Sequence, residues 1–60
     1  MITTQDKLDE ARRELAIRQA IYPNWIDRGK ISKETAAKRI AILQEIANDY
    51  AKEAAKERLL

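Results

Sequence analysis

Apolar residues recur along this chain at alternating spacings of three and four, which is the period of one face of an α-helix. In the first half this face consists of Leu8, Ala11, Leu15 and Tyr22, with Arg18 at its edge. The second half has a longer stripe, made of Ala36, Ile40, Leu43, Ala47, Tyr50 and Ala54. The pattern predicts two amphipathic helices, each of which buries one apolar face.

The first helix has a signal at each end. Thr3 can cap the amides of the first turn, and Asp6, three residues later, can reach back to the Thr3 amide. Pro23 lacks an amide and disfavours helical geometry at Tyr22, so we expect the helix to kink or stop there. The predicted helix one therefore covers about residues 4–22.

A hinge over residues 23–31 separates the two helices. We expect Asn24 to Arg28 to form one more turn, which ends at Gly29 because glycine adopts the left-handed conformation of a helix C-terminus at little cost. Ser32 has the position of an N-cap, so helix two is predicted over about residues 33–58.

Composition agrees with this pattern and indicates the fold class. The 60 residues include ten Ala, one Gly, one Pro, no Val and no Phe, and 37% of them are charged, which is typical of long helices. Two helices joined by a short hinge pack antiparallel. We expect an all-α fold with a single domain, residues 1–60: an antiparallel two-helix hairpin with a Pro/Gly hinge.

The hinge contains the only Pro, Trp and Gly of the chain, and it has two interpretations. Trp25 belongs to a residue type favoured at binding hot spots. A chain this short needs its largest side chain in the core, however, so we interpret Trp25, Ile26 and Ile31 as a plug at the closed end of the hairpin. Just before the hinge, Arg18 and Tyr22 are expected to pack together, with the guanidinium on the ring, in a structural role.

Residues with catalytic chemistry are scarce. The chain has no His and no Cys, which excludes disulfides and thiolate metal sites, and its one Ser is assigned to a cap. Glu14 and Glu45 form a carboxylate pair that could meet across the helices, but the Glu-x-x-His pattern of di-iron bundles is missing, and we interpret both as helix surface. We expect a protein that is not an enzyme and has no cofactor or metal.

Charge and hydropathy indicate the surroundings of the protein. Twelve basic and ten acidic residues are interleaved, and the net charge is +2. The first ten residues lack the pattern of a signal peptide, and no apolar stretch approaches the roughly 18 residues of a membrane span. We expect a cytoplasmic protein with no membrane contact.

A second hypothesis is a small accessory nucleic-acid-binding protein. The segment GKISKETAAKRI, residues 29–40, resembles the turn and second helix of a helix-turn-helix. The match is incomplete, because Lys30 separates the apolar residue from the Gly and the third packing helix of that family has no counterpart here. The basic residues expected at phosphates under this hypothesis are Arg12, Arg13, Lys38 and Arg39.

Four isoleucines lie off the two packing stripes: Ile17, Ile21, Ile42 and Ile46. At about 100° per residue, each pair is rotated away from the stripe of its own helix in the same sense, and antiparallel pairing brings both pairs to one side of the hairpin. Such an exposed apolar face marks an interface. We therefore expect a homodimer in which two hairpins form a four-helix bundle; the alternative is that the face covers a bent part of the same chain.

One resemblance extends from Ala11 to Tyr50, about two thirds of the chain. This segment resembles small uncharacterised proteins encoded by phages and prophages, which share an Arg, then Tyr-Pro, then an apolar pair before a Gly. The shared pattern falls here on Arg18, Tyr22–Pro23, Trp25–Ile26 and Gly29. The resemblance implies a phage or prophage source, the host cytoplasm as location, and a phage or host protein as a partner, but no activity. The shorter segment DRGKISKETAAKRIAIL is similar to helical hairpins that end some bacterial proteins and promote oligomerisation.

Overall fold

The computed structural model describes residues 1–59, and these form two helices, α1 (Thr4–Asp27) and α2 (Lys33–Leu59). The helices pack against each other in an elongated hairpin of 47 × 19 × 14 Å. Their antiparallel direction is visible at the open end, where the Thr4 hydroxyl donates a hydrogen bond of 2.6 Å to the Glu57 carboxylate. No strand is present between residues 1 and 59. The predicted all-α hairpin is confirmed.

The start of α1 is a capping box. The Asp6 amide donates to the Thr3 hydroxyl at 3.0 Å, and the Thr3 amide donates to the Asp6 carboxylate at 3.0 Å. Two amides that the helix itself leaves without partners are thereby paired. The interpretation of Thr3 as N-cap is confirmed.

The end of α1 differs from the prediction, because the helix continues through Pro23 to Asp27. A proline inside a helix costs about 3 kcal/mol, since it removes one hydrogen bond and crowds the preceding turn. Helical bonding is nevertheless present directly afterwards, where the Arg28 amide donates to the Asn24 carbonyl at 3.0 Å. On either side of Pro23, buried Tyr22 and half-buried Trp25 contact each other with ring centroids 5.7 Å apart. This packing offsets part of the cost. α1 ends five residues beyond the predicted residue 22 and takes in most of the extra turn expected over Asn24 to Arg28.

Gly29 ends α1 in the conformation expected from the sequence, with φ of +72°. The Lys30 amide donates to the Trp25 carbonyl at 2.8 Å, and the Gly29 amide donates to the Ile26 carbonyl at 3.0 Å. These two bonds define a Schellman motif, which pairs carbonyls at the helix end. The predicted C-terminal glycine is confirmed.

Ser32 begins α2 as its N-cap. The Thr35 amide donates to the Ser32 hydroxyl at 3.1 Å, and the Ala36 amide donates to the Ser32 carbonyl at 3.0 Å. The predicted start of helix two at residue 33 is confirmed, and the described helix extends to Leu59, one residue past the predicted end.

The core of the hairpin is a narrow seam between the helices. Its buried side chains are Leu8, Leu15 and Tyr22 from α1 and Ala36, Ala47 and Ala54 from α2. The small alanines allow the bulky residues of α1 to lie close against the second helix. The other residues of the predicted stripes are half-buried: Ala11, Ile40, Leu43 and Tyr50. Only six side chains of residues 1–59 are buried, and three of them are alanines, so these residues give the hairpin little apolar burial to stabilise it.

Candidate interaction surface

Three isoleucines in the middle of the chain are exposed. The exposed fractions are 45% for Ile17, 46% for Ile42 and 39% for Ile46, while Ile21 is half-buried. The other exposed large apolar residues of the described chain lie close to its ends: Met1, Ile2 and Leu59. The four isoleucines singled out from the sequence are therefore accessible, Ile21 less than the rest.

The register of the hairpin brings these isoleucines to similar heights. Thr4 bonds to Glu57, and near the other end Tyr22 lies beside Arg39, so residues whose numbers add to about 61 are level with each other. By this rule Ile17 lies between the levels of Ile42 and Ile46. At about 1.5 Å per residue, all four isoleucines fall within about 9 Å along the hairpin axis.

Helix geometry places the four isoleucines on one side. At about 100° per residue, Ile21 lies about 100° from Tyr22 of the seam, and Ile46 lies about 100° from Ala47, each one residue earlier in its own helix. Because α1 and α2 run in opposite directions, equal rotations along the two chains point to the same side in space. This surface, made of Ile17, Ile21, Ile42 and Ile46, is called the isoleucine face below.

A polar group lines the seam next to the isoleucine face. The Arg18 guanidinium donates to the Tyr22 hydroxyl at 2.8 Å and to the Glu14 carboxylate at 2.8 Å. Sequence reasoning predicted the contact of Arg18 with Tyr22, but expected the guanidinium on the ring rather than a hydrogen bond to the hydroxyl. It also interpreted Glu14 as free surface, although the spacing of four from Arg18 is the signal for this pair.

These contacts change the ionisation of both partners. The hydrogen bond to Tyr22, followed by that to Glu14, raises the pKa of Arg18 above its ordinary value. Burial opposes ionisation of the Tyr22 hydroxyl, but the guanidinium groups of Arg18 and Arg39 together outweigh it, and the pKa of Tyr22 lies below its ordinary value of 10.0. Within this group the charges of Arg18 and Glu14 balance each other, and we interpret the group as structural because its side chains contact one another.

The hinge residues surround the closed end of the seam. Trp25, Ile26 and Ile31 are all half-buried, and the Trp25 ring is tilted by 40° against Tyr22. This arrangement matches the predicted plug, because the large apolar side chains of the turn lie against the hairpin rather than fully in solvent. Gly29 has open space around the position of an added Cβ, so its role is conformational.

The basic residues of the nucleic-acid hypothesis do not gather on one surface. All four, Arg12, Arg13, Lys38 and Arg39, are exposed. At about 100° per residue, Arg12 and Arg39 point to opposite sides of the hairpin, while Arg13 and Lys38 point outward from different helices. Arg39 also lies at the Tyr22 hydroxyl, and Arg13 lies 4.0 Å from Glu10. These four residues therefore do not form one continuous basic strip of the kind that follows a phosphate backbone.

The carboxylates Glu14 and Glu45 do not meet. Glu14 pairs with Arg18 beside the seam, whereas Glu45 lines a shallow hollow on the outer surface of α2 together with Asn48, Asp49 and Lys52. Across residues 1–59, no group of three or more acidic, His or Cys side chains has an arrangement that could hold a metal ion.

Neither described helix combines the length and the apolar character needed to cross a membrane. Comparison of the chain with protein-family models, with curated proteins and with solved structures gave no match. Away from its ends, the described chain has its exposed large apolar side chains on the isoleucine face.

Proposed function

We propose that this chain is a non-catalytic interaction module that self-associates through the isoleucine face, so that two hairpins form a four-helix bundle. The observation behind the proposal is that Ile17, Ile42 and Ile46 are exposed on one side of the hairpin, while only six side chains of the described residues 1–59 are buried. Small domains with little core gain stability by association, and an apolar face is the surface that association covers.

The expected gain is large relative to the stability of such a domain. Full burial of an exposed Ile side chain contributes about 1.5–3 kcal/mol, so burial of the half-exposed side chains contributes on the order of 1 kcal/mol each. A two-fold dimer buries every member of the face twice. A domain of this size has an unfolding free energy of several kcal/mol, and dimerisation would add a comparable amount.

The proposal includes an assembly role in the cytoplasm, with a phage or prophage source supported by the resemblance of the segment Ala11 to Tyr50. Arg18, Glu14 and Tyr22 are occupied with each other, which supports a structural rather than a catalytic use of these side chains. The proposal also includes a phage or host protein that binds the assembled bundle.

Light scattering over a concentration series tests self-association. We expect the average mass to rise from 6.9 kDa for one chain toward twice that value as the concentration increases. The double variant Ile42→Glu/Ile46→Glu should stay monomeric and helical, because two charges would be buried in the interface. A matched control is Ala41→Glu/Ala55→Glu, which places the same charges at exposed positions of α2 on the opposite side.

Two results would contradict the proposal. One is a wild-type chain that is folded and monomeric at every concentration; the other is a dimer that forms as tightly in the isoleucine variant as in the wild type. A gel shift with generic duplex DNA examines the nucleic-acid hypothesis in parallel, and we expect no salt-sensitive binding at micromolar protein.

A further inference from the structure

Charged residues flank the isoleucine face in a particular order along each helix. On this side of α1, Glu10 lies toward the open end and Arg28 lies at the hinge. On the same side of α2, Arg39 lies toward the hinge and Asp49 toward the open end. All four are exposed. Each helix thus has an acid at one end of its isoleucine pair and a base at the other.

The spacing of these residues is symmetric within each helix. Glu10 and Arg28 are equidistant from residue 19, and so are Ile17 and Ile21. On the other helix, Arg39 and Asp49 are equidistant from residue 44, and so are Ile42 and Ile46. In each helix, this set of one acid, two isoleucines and one base therefore reads the same in reverse, except that the sign of the charge is inverted. A stripe of this kind is complementary to an antiparallel copy of itself.

The two midpoints lie level with each other in the folded hairpin. In the register where level residues add to about 61, residue 44 faces residue 17, which is two residues or about 3 Å from residue 19. One two-fold axis can therefore pass close to both midpoints. A single rotation then matches both helices with their copies at the same time.

From this symmetry we propose that two hairpins pack isoleucine face to isoleucine face with their hinges at opposite ends, so that each helix is antiparallel to its own copy. This is called the end-over-end arrangement below. Glu10 then pairs with Arg28 of the second copy, and Arg39 pairs with Asp49 of the second copy. Between these ion pairs, Ile17 packs against Ile21 of the second copy, and Ile42 packs against Ile46 of the second copy. The two-fold axis doubles every pair. This arrangement depends on the proposed self-association and specifies its geometry.

The wider charge distribution favours the same arrangement. Residues 17–44, the half that contains the hinge, have six basic and two acidic side chains, whereas the remaining residues have six basic and eight acidic ones. The hinge half therefore has net charge +4 and the open half −2, which together give the net +2 of the chain. End-over-end packing places the positive half of each copy on the negative half of the other.

The alternative two-fold packing, with both hinges at the same end, places α1 on α2 of the second copy. Glu10 would then lie close to the level of Asp49 of the second copy, and the two hinge halves, each of net charge +4, would face each other. Like charges across an interface oppose association. Within one chain, Glu10 has an exposed ion pair with Arg13 of 4.0 Å, and Arg39 lies beside the Tyr22 hydroxyl, so neither is held by a short ion pair to an acidic side chain.

Spin labels distinguish the two packings. The chain has no Cys, so Lys30→Cys provides a unique labelling site at the exposed hinge. At about 1.5 Å per residue, the end-over-end dimer places the two labels about 35 Å apart or more, while the packing with both hinges together places them within about 20 Å. A dominant short distance in a sample shown to be dimeric would overturn the arrangement and leave self-association intact. A monomeric sample would overturn both proposals.

Charge reversal gives a second, independent test. Asp49→Arg converts the pair with Arg39 into a repulsive contact at two places in the dimer, and we expect about five- to tenfold weaker association at low salt, with a smaller effect at high salt. Asp9→Arg makes a charge change of the same size at an exposed position on the side of α1 opposite the isoleucine face and should leave the affinity almost unchanged. In the alternative packing Asp49→Arg would approach Glu10 and strengthen the dimer, so tighter association contradicts the end-over-end arrangement.

Discussion

The hairpin has two apolar surfaces that differ in side-chain size and in what covers them. In the seam, three bulky residues of α1 meet three alanines of α2, and all six are at most 8% exposed. On the isoleucine face both helices present the same bulky residue, and three of these side chains are 39% exposed or more. Bulky residues opposite alanines let two helices close on each other, whereas two bulky rows on one outer side need another surface to cover them. The difference separates the contacts that form the hairpin from the contacts that, in our proposal, join two hairpins.

Removal of a seam side chain should have the largest effect. Leu8 is 3% exposed and packs with Ala47 and Ala54, so we expect Leu8→Ala to lower the free energy of unfolding by about 3 kcal/mol at every protein concentration. The matched variant Ile17→Ala removes the same class of side chain from the isoleucine face and should cost less than about 1 kcal/mol in dilute solution. Urea denaturation followed by circular dichroism measures both. Equal losses in dilute solution would remove the distinction between the two surfaces.

A change at the hinge should have an intermediate effect, because it alters how the seam closes. Gly29→Val places a β-branched residue at φ of +72°, and we expect a cost of about 1–2 kcal/mol. Nothing lies within 4 Å of an added Cβ, so the cost comes from the backbone conformation alone. Gly29→Asn is the control, since Asn tolerates this conformation and should cost less. An unchanged denaturation midpoint for the Val variant would show that Gly29 does not act as the C-terminal cap.

The smallest effect on stability is expected at the Tyr22 hydroxyl, where the seam borders the isoleucine face. Its pKa is lowered, so the native state holds fewer protons than the unfolded state just below pH 10.0. The associated stability is fully present above that pH and is lost as the pH falls through the native pKa. In a Tyr50→Phe background, ultraviolet absorbance follows the titration of Tyr22 alone. We expect the midpoint of this titration to lie below 10.0 and to rise in the variant Arg18→Met. A midpoint that is the same with and without Arg18 would contradict the role of the hydrogen bond.

The isoleucine face shows how far sequence reasoning reaches toward a candidate site. Its four members could be selected from the chain because a helix turns by a nearly constant angle per residue, which fixes which side each residue points to. Their common height could not be obtained in this way. That height depends on where the hinge ends, and the contacts of Thr4 with Glu57 and of Tyr22 with Arg39 define it. That the midpoint between Glu10 and Arg28 lies close to the level of the midpoint between Arg39 and Asp49 became apparent only in this register.

The sequence by itself determined the local features of the protein: the caps at Thr3 and Ser32, the left-handed Gly29 and the period of the two stripes. Each depends on hydrogen bonds and backbone preferences within a few residues, so neighbouring residues are sufficient to predict it. The tertiary structure decided that α1 continues through Pro23 and that Arg18 bonds to the Tyr22 hydroxyl. Both outcomes balance a local preference against packing between the two helices, and that packing energy arises only when residues far apart in the chain come together.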